Sequence, residues 1–154
     1  NHKDMALLTW SNIDSSGILS YKRSKSKQLI SIRLSENLWC IIDHFNKERK
    51  LNSTDYLLPI LNKDEHSNDV KIQNRLMSHL SHLNKSLKAL AKEIGLPSFI
   101  SIGKARHTYA TVLDQLGTSR ALIGDAMGHR NAAVTRRYVG RRSSNEIADA
   151  NVLL

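Results

Sequence analysis

Four side chains in the last third of the chain have the chemistry to handle a phosphate ester. Arg106 and His129 stand 23 positions apart, Tyr138 follows nine further on, and His107 is next to the arginine. A guanidinium is always charged and can donate two parallel hydrogen bonds to phosphate oxygens. An imidazole can donate another. A phenol becomes a strong nucleophile once it loses its proton, and Arg136, Arg137, Arg141 and Arg142 around Tyr138 favour the phenolate. Attack on a phosphodiester adds negative charge to the non-bridging oxygens, which Arg106 and His129 are suited to stabilise. Nearer the N-terminus, Lys25 in the run Lys22-Arg23-Ser24-Lys25-Ser26-Lys27 can protonate a departing oxygen as a general acid, with Lys27 a close rival.

Each residue also has a plainer reading. A lone arginine is most often half of a surface ion pair, and a histidine after Gly128 often caps a helix. Tyrosines usually pack, and loop lysines usually touch backbone phosphate. The joint spacing favours phosphate chemistry. His107 should project about 100° away from Arg106 around the same helix. A buried, hydrogen-bonded structural role is therefore expected for it, with a supporting catalytic role as the alternative. His79 and His82 share a helix face at metal-ligand spacing, but no nearby cysteine or carboxylate pair completes a site. No metal and no cofactor are expected, and no Gly-rich phosphate loop suggests use of ATP.

The charge balance points the same way. The chain carries 23 Lys+Arg against 14 Asp+Glu, a formal +9. Clustering matters more than the total. Residues 22–27 hold four cations and no acid, and residues 130–142 hold five arginines. Double-stranded DNA is the expected partner, with Lys22, Arg23, Lys27, Arg136 and Arg137 as its contacts. No apolar run approaches the ~20 residues of a membrane helix, and the N-terminus lacks a signal-peptide pattern. Cys40 is the single cysteine, which excludes an internal disulfide and favours a reducing cytoplasm. A start at Asn1 rather than methionine suggests a piece of a longer protein.

The elements that must position these groups are legible in outline. At 154 residues the chain suits one core, so residues 1–154 are expected to form a single domain. Residues 4–8 look like the end of a helix. Residues 18–21 and 29–32 read as short strands flanking a basic turn at 23–28, giving a hairpin or a three-stranded sheet. Ser35 can cap a helix through Phe45, and Pro59 prevents a helix over 56–61. Leu76, Leu80, Leu83, Leu87, Leu90 and Ile94 mark one face of a long helix that ends at Gly95 and Pro97, a face expected to pack in the core. Helices are expected over 107–116, with Arg106 at the start, and over 119–127. Asn131 should cap a further helix over 132–139, and residues 145–154 can form a last one. The fold class is mainly α with a small antiparallel hairpin.

Arg106-His107-Thr108-Tyr109-Ala110-Thr111, Met127-Gly128-His129 and Tyr138 resemble the catalytic signature of the tyrosine recombinases, or phage-type integrases, and those of bacterial mobile elements in particular. The resemblance covers nearly the whole chain. It implies that Tyr138 is the nucleophile, that Arg106 is the second active-site arginine, that His129 belongs to the Leu-Gly-His box and that Lys25 is the hairpin general acid. It further implies strand cleavage and rejoining through a 3′-phosphotyrosyl link, a tetramer on DNA, and an N-terminal DNA-clamping domain outside this chain. Two positions depart from the family pattern. Gly103 stands where a catalytic histidine is usual, and Asn1 stands where the first arginine would fall. His107 or Lys104 are possible substitutes for the missing groups. These departures support an alternative, a non-catalytic DNA-binding regulator on a degenerate integrase fold. A third reading takes residues 117–138 as a helix-turn-helix, with Arg136 and Arg137 reading bases.

Overall fold

The computed structural model describes residues 1–47, 52–96, 100–129 and 131–136. Its described helices are α1 (His2–Ala6), α2 (Glu36–Asn46), α3 (Asp69–Glu93), α4 (Ile102–Gln115), α5 (Arg120–Ala126) and α6 (Ala132–Arg136). Its described strands are β1 (Ile18–Lys22) and β2 (Leu29–Arg33). The chain divides into two compact units, Asn1–Lys104 and Ala105–Leu154.

In the first unit, β1 and β2 pair antiparallel with Lys22 opposite Leu29 and Ile18 opposite Arg33. The expected third strand is reduced to an isolated bridge between Ile13 and Leu19. Alternation explains the hairpin's packing. Leu19 and Ile30 share one face and are buried, Leu29 is on the other and exposed, and Ile32, opposite Leu19, is on the buried residues' face but partly open to solvent. Leu19 joins Leu34, Ile42 and Leu57 in one buried cluster, flanked by Trp10 and Trp39. A second cluster joins Ala6 of α1 to Ile60, Leu61 and Leu76. The segment before and after Pro59 thus supplies apolar side chains to both clusters without being a helix. Asn46, buried at the end of α2, donates from Nδ2 to the carbonyl of Leu57 at 3.0 Å and ties that segment down.

α3 starts after Asn68, whose Oδ1 accepts from the Lys71 N–H at 2.9 Å. It ends on Gly95 at φ +72, a left-handed position that suits glycine. Its leucine face is buried only in part. Leu76 is in the core and Leu80, Leu83 and Leu87 are half-buried, but Leu90 and Ile94 are exposed. The segments that pack on α3 within this unit, α1 and residues 56–61, meet its first half.

In the second unit, Ala110 of α4 packs against Ile123 and Met127, with Leu113 beside them. Ser119 caps α5, and Gly128 at φ +63 turns the chain out of it. Asn131 caps α6 as its sequence predicts, Oδ1 accepting from the Val134 N–H at 3.1 Å.

Candidate functional site

Arg106 lies inside α4 rather than at its start. The helix begins at Ile102 because the Asn84 side chain accepts the Ile102 N–H at 2.9 Å, one of the donors that a helix start leaves open. The expected help to Arg106 from a positive helix end is therefore lost. Its guanidinium instead turns toward the end of α5, where Nη2 donates to the Met127 carbonyl and lies 3.4 Å from His129 Nε2. Spacing in the sequence thus becomes contact in space for Arg106 and His129.

His129 is buried, held from three sides. Its backbone N–H donates to the Gly124 carbonyl at 2.8 Å, closing the turn after α5. Its Nδ1 lies 3.0 Å from Thr135 Oγ1 on α6. Its Nε2 faces Arg106. The plainer reading of His129 as a helix-end residue holds for its backbone, while its ring is committed to a polar cluster. A cavity of about 230 Å³ lined by Arg120, Gly124, Asp125, His129, Asn131 and Thr135 adjoins the ring.

His107 corrects its expectation, being exposed rather than buried. The 100° step from Arg106 was sound, but Arg106 takes the inward direction and His107 is left on the outside. Gly103 is also exposed, and a Cβ there would meet only Ser101 Oγ, at 3.7 Å. Nothing steric thus demands glycine at this position. Asn1 uses its side chain locally, Oδ1 accepting the Asp4 N–H at 3.0 Å to cap α1. Arg136 is the last residue of α6. Tyr138, Arg137, Arg141, Arg142 and the expected helix over 145–154 lie outside the described residues, as does the end of the helix expected to reach 139.

The first unit carries the basic hairpin. Lys22, Lys25 and Lys27 are exposed, and Lys27 takes φ +59 as the turn closes. Arg23 departs from its expected place among the DNA contacts. It is buried, with Nε 3.7 Å from Asp4 Oδ2. Asp4 also accepts from the Ser24 backbone N–H at 2.9 Å and from the Ser24 hydroxyl at 2.6 Å. Burial alone would raise the Asp4 carboxyl's pKa. The Ser24 hydroxyl and N–H, the N-terminal ammonium and Arg23 outweigh it and hold the group below the ordinary aspartate value. One buried carboxylate on α1 therefore fastens the two residues that lead into Lys25.

Sequence reasoning missed Asp4 and Thr135. The available signals were slight: an acid among apolar residues in Met5-Ala6-Leu7-Leu8's helix, and a lone hydroxyl after Ala132-Ala133-Val134. His79, on the helix face it shares with His82, has its Nδ1 3.0 Å from His2 Nε2, with the rings stacked at 5.2 Å. Both imidazoles titrate below the ordinary value. Burial is the first cause for each, followed by His79 and the N-terminal ammonium for His2, and by Arg75 and His82 for His79. Among the described residues, no three His, Cys, Asp or Glu side chains are grouped to hold a metal ion, and no helix is long and apolar enough to cross a membrane.

Comparison with solved structures shows the fold class. The Tn1549 transposon integrase in complex with a circular intermediate DNA matches at TM-score 0.72 and 16% identity, covering 100% of this chain and 54% of that one. The same integrase with transposon right end DNA matches at TM-score 0.71 and 15% identity, covering 100% and 54%. XerA recombinase matches at TM-score 0.66 and 18% identity, covering 98% and 51%. This chain therefore has the tyrosine recombinase catalytic-domain fold and spans about half the length of these relatives. The phage integrase family model matches residues 2–144, and the chain belongs to that family. A search of curated proteins returned no match.

Proposed function

We propose that this chain is the catalytic part of a site-specific recombinase that cuts and rejoins double-stranded DNA. Tyr138 gives its phenol proton to water, its oxygen attacks a backbone phosphorus, and the bond from phosphorus to the 5′-oxygen breaks. Lys25 gives that oxygen its proton. The 3′-phosphate stays joined to Tyr138, which conserves the bond energy. A 5′-hydroxyl then attacks the phosphotyrosine, returns its proton and frees the tyrosine. Arg106 and His129 hold the non-bridging oxygens through this exchange. The reaction as written needs no cofactor.

The observation that carries this reading is the Arg106–His129 contact at 3.4 Å, with the imidazole buried. Arg106 on α4 and His129 in the turn after α5 thus meet at one point, and each can donate to a phosphate oxygen placed there. Lys22, Lys27, Arg136 and Arg137 supply backbone contacts to DNA, and a tetramer in the cytoplasm is the working assembly. Family membership supports recombination in general, and the DNA-bound Tn1549 integrase supports DNA as the substrate. The test is covalent trapping of the full protein on a nicked copy of its DNA site. A denaturation-resistant band that disappears in Tyr138→Phe is the expected result.

Gly103 and the capping use of Asn1 favour a second reading, a DNA-binding regulator without cleavage activity. It requires salt-sensitive binding to the same DNA with no covalent band.

A further inference from the structure

Thr135 is the least exposed of the buried polar side chains among the described residues, at 1%. A buried hydroxyl is costly unless it is hydrogen-bonded, and valine would fill the same volume without that cost. Its partner is His129 Nδ1 at 3.0 Å. The backbone around the pair is shaped for this contact. A Cβ at Gly124 would come within 2.8 Å of Thr135 Oγ1, so even alanine there would displace the hydroxyl. Gly124 also accepts the His129 backbone N–H through its carbonyl. One glycine thus anchors the main chain of His129 and leaves room for the group that touches its ring.

The two ring nitrogens have different neighbours. Nε2 faces Arg106 Nη2 at 3.4 Å, and a guanidinium can only donate. In this arrangement Nε2 accepts, so the neutral ring carries its proton on Nδ1 and donates it to Thr135 Oγ1. Donation from Nε2 to a phosphate oxygen needs the opposite tautomer. Nδ1 must then accept, and the partner must donate. A hydroxyl does either by rotating its O–H bond. In the imidazolium both nitrogens donate, and the hydroxyl accepts again.

We propose that Thr135 is a positioning residue for His129: it fixes the ring plane and, by reversing one hydrogen bond, lets Nε2 change from acceptor to phosphate donor as the ring gives its Nδ1 proton to water and takes one from water at Nε2. The inference rests on the proposed function, because it gives His129 a phosphate to serve. Gly124 belongs to the same device, since it admits the hydroxyl to the ring.

The test compares Thr135→Ser, which keeps the hydroxyl, with Thr135→Ala and Thr135→Val, which lose it, all in the full protein. Ser and Ala leave similar gaps, so their difference isolates the hydroxyl even where Val folds poorly. Two readouts are taken. Ring ¹⁵N resonances of His129 report the tautomer without DNA, and a nicked DNA site reports single-turnover cleavage and binding separately. Wild type and Thr135→Ser should show His129 protonated at Nδ1, and Thr135→Ala should lose that preference. Cleavage should fall roughly ten- to a hundredfold in Thr135→Ala, the scale seen when a histidine loses the group that orients it. DNA affinity should stay level, and Thr135→Ser should recover most of the rate. Equal ring resonances in Thr135→Ser and Thr135→Ala, or equal cleavage rates in a cleaving protein, would overturn the proposal. A wild-type protein that binds DNA without cutting it overturns the recombinase reading instead, while the ring resonances still decide what Thr135 does.

Discussion

Removing the Asp4 carboxylate should loosen the hairpin tip and with it Lys25. In Asp4→Ala, the buried Arg23 guanidinium loses a carboxylate 3.7 Å away, and both donors of Ser24 lose their acceptor. Breaking a buried ion pair by removing one partner costs about 3–5 kcal/mol. Hydrogen bonds to a charged group are worth about 1.5–3 kcal/mol each. Ser24 is only half-buried, so water can replace part of its loss, and the two contributions overlap. A total near 3–4 kcal/mol follows, a large share of the ~5–15 kcal/mol that holds a domain together. Asp4→Asn keeps an oxygen for Ser24 but still leaves the buried Arg23 charge without its partner, so it should recover only the smaller part of that loss. Urea unfolding followed by tryptophan fluorescence reads the correct unit, since the chain's two tryptophans, Trp10 and Trp39, both belong to the first. Amide exchange over residues 23–28 should quicken in parallel. An Asp4→Ala cost below about 1 kcal/mol, in the range of ordinary surface changes, would refute the reasoning.

Acid should act on the same unit in two stages. His2 and His79 have folded pKa values below the ordinary imidazole value, so below about 6.5 the unfolded chain binds more protons than the folded one. Their contribution to stability is complete above that pH and is lost as pH falls through the lower folded values. His79→Gln should flatten this stage in urea titrations at several pH values; an unchanged slope would count against the pair. Asp4, also lowered, adds a later loss that begins near ~3.9 and is complete below its folded value. Lys25 is exposed, so Lys25→Ala should alter stability by less than about 0.5 kcal/mol while cutting DNA cleavage by roughly 10²–10⁴-fold. A substrate with sulfur at the 5′-bridging position leaves as a thiolate without needing a proton. It should restore the rate, and no restoration would remove Lys25 from the role of acid.

Much of this was legible because local rules and tertiary packing agreed. The hairpin followed from two short alternating runs around a basic turn. The long helix followed from six apolar positions at helical spacing and from Gly95 and Pro97 after them. Helix starts proved less legible where the cap came from afar. Ile102 opens α4 because Asn84 in another helix takes its N–H, and no rule about neighbouring residues reveals that. Arg23 illustrates a second limit. Among Lys22, Lys25 and Lys27 it reads as one more cation for DNA, and only the buried Asp4 on α1 shows which of the four turns inward. His107 illustrates a third. The angle between neighbours on a helix was readable, but which neighbour faces the interior depends on α5, where Met127 offers its carbonyl to Arg106.

The choice between an enzyme and a degenerate regulator turns on what a buried polar group costs. Gly103 and Asn1 lack the side chains that the resemblance would place there, and each can be read as decay. His129 and Thr135 argue the other way. Both are buried, and the Thr135 hydroxyl is hydrogen-bonded to the His129 ring. A half-satisfied polar network is worse than an apolar core, so such a pair is expensive to keep where nothing uses it. DNA binding alone does not use it, because affinity for a phosphate backbone comes from exposed cations. Phosphoryl transfer does, because it needs a donor held at a fixed point and shielded from water. The polar cluster around His129 therefore weighs toward the recombinase reading, and covalent trapping decides whether cleavage survives with Gly103 and Asn1 at those positions.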